Sequence, residues 1–497
     1  MAGLFDTLGI ATRGLQVVQR GMATTGHNIA NVDTPGYSKQ RAVLATGLPQ
    51  PDATGTVGSG VEQVTVQRII DRFIGFRLVS ETSRKAELET QSTIYREVET
   101  IVNDQLAPGL TDELTNFFGA IDELASAQET GQSVARGTLL SSAESLVDTV
   151  RRYDARLRTL QRDADRGITG MLPDINSLTR EIAELNGQIA EAETISPAND
   201  LRDRRDQLIL ALSEKIEIVS VDDVDGMASI RIAGGLSLVD KRVAAELTAV
   251  VDAGNPHPFD PTFSQVYYEG AGSFFDATSL IKGGELGGLI DARDNIVAGT
   301  IRELDAFAFT LASEFNAVHR TGYGLVDTAA HDFFLDLSTA TTIDDTARNF
   351  ALSADIDPDQ GGTLDHIAAA DALNLAGTAG AIGNTSAALA LGDLRTTRVQ
   401  TYLPGDVPGT PTGDIVSISG RLINIVGDLG QKARSTSRAL EQQEAVLSAV
   451  QDRRDSVSGV SIDEEVADLV KLQANFQANA RVVRTVSTLL QDLFDAI

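Results

Sequence analysis

Two apolar stripes, one at each end, constrain this chain more than any other feature of its sequence. Near the amino terminus Leu4, Leu8, Ala11, Leu15, Val18, Met22, Thr25 and Ile29 recur four and three residues apart, with Thr25 the polar member. Toward the carboxyl end Ile462, Val466, Leu469, Gln473, Phe476, Ala480, Val483, Ser487, Leu490, Phe494 and Ile497 step in the same way. Such spacing holds one stripe against a partner helix and is the seam of a coiled coil. Gly3, Gly9, Gly14, Gly21 and Gly26 lower the intrinsic stability of the first helix. A helix that is marginal alone orders when its stripe is covered. Docking onto the chain's own body would cover the stripes too, but two matching seams at opposite ends favour packing against each other.

The whole chain, stripes included, has 497 residues, more than one hydrophobic core of ~250–300 residues usually accommodates. Residues 34–70 read as extended, with Pro35-Gly36, Pro49, Pro51, Gly55, Gly58 and Gly60, and with Val64 and Val66 alternating as in a strand. Helical patterning fills 71–213, with candidate helices 71–106, 110–129, 133–169, 174–194 and 198–213. Breaks are expected at Pro108-Gly109, Gly131, Pro173 and Pro197, with Asp174 and Asn199 as candidate caps. Strand signals follow at Ile216–Val221, Ile230, Ile232 and Val266–Tyr268. Helical periodicity returns over 286–319 and from about 417 to 455, with a break at Ser456–Ser461; residues 324–415 are mixed, with a loose Pro/Gly stretch at 404–413.

The expected fold is therefore α+β: an elongated multidomain hairpin with a coiled coil of both termini, a helical core and β-rich inserted outer regions. The expected division is 1–60 with 460–497 as the terminal coiled coil and 61–213 with 284–323 and 416–459 as the helical core. Residues 214–283 form a β-rich insertion, and 324–415 a mixed outer segment.

Composition removes several functions. With 70 acidic and 41 basic residues the net charge is −29, which opposes duplex nucleic acid and anionic lipid. The absence of cysteine removes disulfides, thiolate metal sites and cysteine nucleophiles. No cleavable signal peptide is expected from MAGLFDTLGIATRGLQ, and no apolar run approaches the ~20 residues of a membrane span. His27, His257, His319, His331 and His366 form no HExxH and no i,i+4 pair, so no metal site is expected, nor any cofactor. Val221-Asp222-Asp223-Val224-Asp225-Gly226 fails a calcium loop at its first position, and again at its twelfth, Ile232. No P-loop, dinucleotide loop or G-x-S-x-G elbow occurs, and no carboxylate pair stands out as catalytic. The cluster Arg202, Asp203, Arg204, Arg205 and Asp206 reads as a solvated helix face.

The stretch Asn28-Ile-Ala-Asn31-Val-Asp33-Thr-Pro35-Gly36-Tyr37 resembles the signature of bacterial flagellar rod, hook and hook-associated proteins. Asn31 or Asp33 can end the first helix, and Pro35-Gly36 suits the centre of a type II turn. Gly58-Ser-Gly60-Val61 with Val64, Arg68 and Asp71 is similar to the segment that follows in that group. Ser458–Glu465 leading into Leu472–Ala480 resembles its carboxyl end, and Ser461 with Glu464 has capping-box spacing. The internal run Gly283, Gly284, Glu285, Leu286, Gly287, Gly288, Leu289, Ile290, Asp291, Ala292, Arg293 and Asp294, extended by Asn316, His319, Gly322, Tyr323 and Gly324, resembles one branch, the hook-associated protein 1 family.

That resemblance implies a non-catalytic axial protein, exported unfolded by the flagellar type III apparatus and placed extracellularly at the hook–filament junction. It implies a homo-oligomeric ring, contacts with hook protein and with a second junction protein, and a cytosolic export chaperone at the carboxyl-terminal helix. It implies neither nucleic-acid binding nor membrane insertion. Other readings are hook protein or flagellin, an adhesin or enzyme carried on the outer regions, and a cytosolic scaffold.

Overall fold

The computed structural model describes residues 2–52, 55–102, 108–222, 226–232 and 234–495. Helix α1 (Ala2–Ala30) leads into strands β1 (Gln40–Thr46), β2 (Gln50–Asp52), β3 (Gly55–Val57) and β4 (Val61–Arg68). Four helices follow: α2 (Arg72–Val102), α3 (Leu110–Ser126), α4 (Gln132–Ala192) and α5 (Asn199–Lys215). Next come β5 (Ile218–Asp222), β6 (Ala228–Ile232), β7 (Ser237–Asp240), β8 (Val243–Ala244), β9 (Glu246–Val250), β10 (Gln265–Gly270) and β11 (Ser273–Asp276). Helix α6 (Gly284–Asp291) joins α7 (Ala298–His319) through a π-helical segment over Ala292–Val297. Then follow α8 (Thr346–Asn349), α9 (Ser386–Asp393), β12 (Val399–Gln400), β13 (Ile415–Val416), α10 (Ile418–Ser458) and α11 (Ile462–Asp495). The architecture is α+β, with small antiparallel sheets ordered β1-β4, β5-β6-β7-β8 and β11-β10-β9 among long helices.

Helix α4 corrects the expected break at Pro173: it is continuous for 61 residues, with Pro173 inside. An internal proline costs about 3 kcal/mol through a lost hydrogen bond and a steric clash. Burial on both sides of it offsets that cost, with Ile168, Leu172, Ile175 and Ile182 all at most 2 % exposed. Asp174 is thus mid-helix and caps nothing. Asn199 does not cap α5 either; its Nδ2 donates to the Gln40 Oε1 and Val66 carbonyl oxygens.

The long helix joins two cores. Its first half packs with α3, α7 and the start of α10 around Phe117, Phe118, Leu146 and Phe315. Its second half packs with α5 and the strands around Ile175, Leu212, Ile230 and Val266. The 324–415 stretch reads as outer from its Ala/Gly/Asp-rich composition. Its Phe333, Phe334, Phe350, Ile367 and Leu391 nevertheless lie in the first core, because a few aromatic and aliphatic anchors suffice to bury an otherwise polar segment. Helix α10 runs antiparallel beside α2, where Gln443 Nε2 donates to the Glu81 carbonyl. No helix among the described residues is long and apolar enough to cross a membrane.

Candidate assembly interface

Helices α1 and α11 lie antiparallel along each other. Three cross-helix contacts fall one heptad apart on both helices: Gly14 against Asn479, Gly21 against Leu472 and Asn28 against Glu465. The glycines set the approach. A Cβ on Gly14 would stand 3.0 Å from Asn479 Oδ1, and one on Gly21 would stand 3.2 Å from Leu472 Cδ2. Of the amino-terminal stripe, Ala11, Val18 and Thr25 are buried and Leu4, Leu8, Leu15, Met22 and Ile29 are half-buried.

The carboxyl-terminal stripe is rotated from its expected register. Leu469, Phe476, Ala480, Val483 and Leu490 are covered at least in part, but Ile462 and Val466 are 51 % and 45 % exposed. The covered face runs instead through Glu465, Leu469, Leu472, Phe476, Asn479, Val483, Val486 and Leu490. In this register Glu465 faces inward in a polar lock while Ile462 and Val466 face outward. The Phe494 side chain and residue Ile497 lie outside the described set.

Asn28 is the centre of that lock and is 2 % exposed. Its Nδ2 donates to the Gln40 carbonyl (2.9 Å) and to Glu465 Oε2 (3.1 Å). Its Oδ1 accepts from the Gln40 amide (3.0 Å) and the Tyr37 hydroxyl (2.8 Å). Two donor and two acceptor positions exhaust what an asparagine side chain offers. Burial first, then Asp200, Asp203 and Glu465, push the Tyr37 phenol well above its ordinary pKa, so it stays a donor. Lys39 Nζ meets Glu464 at 2.9 Å and Glu465 at 3.2 Å. Burial pulls the Lys39 ammonium down, but these two carboxylates together raise it above its usual value. Glu464, the expected capping-box partner of Ser461, thus reaches across to the turn region.

The turn follows from its residues. The Tyr37 amide donates to the Thr34 carbonyl, and Gly36 sits at φ 78°, a left-handed value that favours glycine. A Cβ there would also run into the Gln207 side chain, whose Nε2 donates to the Pro35 carbonyl. Asn31 Nδ2 closes the helix end on the His27 carbonyl, and its Oδ1 accepts from Thr34. Asp33 is exposed.

Beneath the turn, Asp203 and Arg205 of the charge cluster on α5 are buried while Arg204 and Asp206 stay exposed, so its reading as a solvated face is corrected for those two residues. Arg68, with its side chain 5 % exposed, donates to Asp203 (2.6 Å) and Asp206 (2.9 Å), and Asp203 also accepts the Ser38 amide. Arg205 is 1 % exposed and donates to the Gly226 carbonyl.

The internal motif holds the two cores together. Gly283 and Gly284 have φ of 57° and 64°, and a Cβ on Gly284 would stand 2.5 Å from the Ile216 nitrogen. Gly287 and Gly288 bring α6 against Lys282 and Thr90, while Leu286 is fully buried. Glu285 meets Lys215 at 2.6 Å, and Asp291 accepts from Gln91 at 3.0 Å. Arg293, fully buried, donates to Asp165 on α4, to the Ser264 carbonyl and to Asp294.

The fold also assembles what sequence spacing hides. Among the described residues, Asp327, His331 and His366 present potential metal-ligand atoms within 4.8 Å of one another. The expectation of no metal site rested on local spacing, and His331 and His366 are too far apart in sequence to show one.

The arrangement of the terminal pair, the turn and the internal motif has parallels among known proteins. The flagella basal body rod protein model matches residues 8–37, and the flagellar basal body rod FlgEFG protein C-terminal model matches 451–496. Residues 95–334 match the helical domain of flagellar hook-associated protein FlgK. The flagellar hook-associated protein 1 of Salmonella typhimurium is 28 % identical, over 98 % of this chain and 98 % of its own. The protein of that name from Bacillus subtilis is 26 % identical, over 100 % of this chain and 98 % of its own. Over nearly its whole length the chain is similar to flagellar hook-associated protein 1. Its fold resembles the flagellar hook junction protein FlgK of Burkholderia pseudomallei, with a TM-score of 0.59, 18 % identity, 77 % of this chain covered and 100 % of that one. The terminal lock and the internal glycine run lie in different matched regions.

Proposed function

We propose that this chain is a structural subunit of the extracellular flagellum at the hook–filament junction, and that α1 with α11 is its axial assembly element. The antiparallel α1–α11 pair carries the reading, together with apolar surface that one subunit leaves open. Ile462, Val466, Val470, Val482 and Leu489 on α11 are each at least 41 % exposed, and Phe73 on α2 is 69 % exposed beside Ile70 and Phe76. Neighbouring subunits in a ring would cover these residues. Hook protein on one side and the second junction protein on the other are the axial partners of this reading. Export in unfolded form through the type III apparatus fits a chain with no cysteine to crosslink. A cytosolic chaperone would cover the α11 face before export. The relatives are structural proteins, and no catalytic role is assigned here.

The test is to delete 462–497 and express the truncated chain in a strain lacking its own hook-associated protein 1. The purified truncation is expected to keep both cores but to leave hooks without filaments. Filaments of normal length on those hooks would refute the role of the terminal pair.

A further inference from the structure

We propose that Asp327, His331 and His366 form a binding site for one divalent transition-metal cation of the zinc class. The carboxylate of Asp327 faces both rings: His331 Nε2 lies 3.2 Å from its Oδ1, and His366 Nε2 lies 3.7 Å from its Oδ2. The other nitrogen of each ring is committed elsewhere. His366 Nδ1 is 2.7 Å from the Asp355 main-chain carbonyl, which can only accept, so Nδ1 carries the hydrogen. His331 Nδ1 is 3.0 Å from the Asp355 carboxylate and donates to it in the same way. One residue, Asp355, thus fixes both tautomers. Each Nε2 is left to present either a lone pair or an added proton toward Asp327.

This is the outer-shell arrangement of histidine metal ligands, whose second ring nitrogen donates to a carboxylate or carbonyl and orients the ring. A tetrahedral ion with bonds of about 2.0–2.1 Å places its ligand atoms about 3.3 Å apart. The Asp327–His331 separation already matches that; the two rings lie nearly parallel, so one must turn for both Nε2 lone pairs to converge on a single ion. Two neutral nitrogens and one carboxylate select a zinc-class ion over calcium or magnesium, which prefer all-oxygen shells.

The ligands sit on pinned backbone. The Ala329 amide donates to Asp327 Oδ1. Buried His319 bridges the two segments: its Nδ1 lies 2.8 Å from the His331 carbonyl, and its Nε2 accepts the Ala368 amide at 2.9 Å. The rings of His331 and His366 stack with centroids 4.0 Å apart and planes 17° apart. A single metal ion at this place would satisfy both lone pairs and the carboxylate. Asp327 is 43 % exposed at its side chain, so an ion can enter from solvent and keep a water as its fourth ligand.

The experiment titrates chelator-treated full-length protein with Zn²⁺ by calorimetry in excess Mg²⁺. One ion per chain is expected, with affinity at least tenfold weaker in His331→Ala and in His366→Ala and unchanged in His257→Ala. Asp355→Ala, which keeps the main-chain carbonyl, is expected to weaken binding about 10–100-fold through loss of ring orientation. A second measurement needs no variant: Zn²⁺ should shield His331 and His366, but not His27, from diethyl pyrocarbonate, read by peptide mass spectrometry. Absence of stoichiometric binding overturns the proposal. So does binding undiminished in the His331→Ala/His366→Ala double variant, or equal labelling with and without Zn²⁺, since the cluster would then be filled by protons alone.

Discussion

Replacing Asn28 isolates the lock between the chain ends. Asn28→Ala removes four hydrogen bonds from a site 2 % exposed, to both main-chain groups of Gln40, to Tyr37 and to Glu465. At about 1 kcal/mol net per bond the loss is about 4 kcal/mol, and stranded buried partners add to it. Asn28→Asp keeps the shape but sets a carboxylate where Nδ2 now lies 3.1 Å from Glu465 Oε2 and 2.9 Å from the Gln40 carbonyl. Like charges about 4 Å apart at an effective dielectric near 20 repel by about 4 kcal/mol. Lys39, 3.2 Å from Glu465, offsets part of that. The aspartate variant should therefore be at least as damaging as alanine at pH 7 and should recover toward pH 4 as a carboxyl protonates. Hydrogen exchange at the amides of 462–470 reads the opening free energy of this end of α11. A loss under about 1 kcal/mol for Asn28→Ala would refute the lock as the determinant of register. So would an Asn28→Asp variant milder than alanine at pH 7.

Two further outcomes follow from the same geometry. Gly21→Leu should force α11 off α1, because even a Cβ there stands 3.2 Å from Leu472, and should collapse exchange protection along α11; Gly9→Ala, with open space around it, should gain about 1 kcal/mol of helix propensity without that loss. Asp305, raised to about 7 chiefly by burial, binds its proton more tightly folded than unfolded. Its contribution to stability is present in full below about pH 4 and lost as pH rises through about 7, worth up to about 4 kcal/mol. Asp305→Asn should flatten the fall in apparent thermal midpoint between pH 4 and 7, and an unchanged slope would exclude Asp305 as its source.

The terminal stripes were legible because apolar residues at 3.5-residue spacing need a partner helix, and α1 with α11 supplies it. The register of α11 was not, since apolar periodicity ranks Ile462 and Val466 above Glu465. Only polar partners distant in the chain, Asn28 and Lys39, make Glu465 an inward residue. Pro173 misled for a related reason: local stereochemistry forbids what burial on both flanks compensates. Asp203 and Arg205 on α5 read as surface because every residue of Arg202–Asp206 is charged, and nothing local reports that Arg68 reaches Asp203. Asp327 and His331 stand four residues apart in sequence, but nothing local reports that His366 joins them. The glycines of the internal motif were visible as a motif, but what each makes room for appears only where α6 meets α2 and the end of α5.

The bond between Asn28 and Glu465 closes a loop of almost the whole polypeptide. Closing a loop that long is entropically costly and kinetically late, whereas α3 against α4 or the β5–β8 meander needs only near neighbours. The body of the molecule can thus fold while its two ends are still apart. Whatever meets the ends during that interval meets them singly, as sticky separate strands, and competes directly with self-closure for them. Timing is thereby written into topology: the joint between the two ends is the last to set within the subunit.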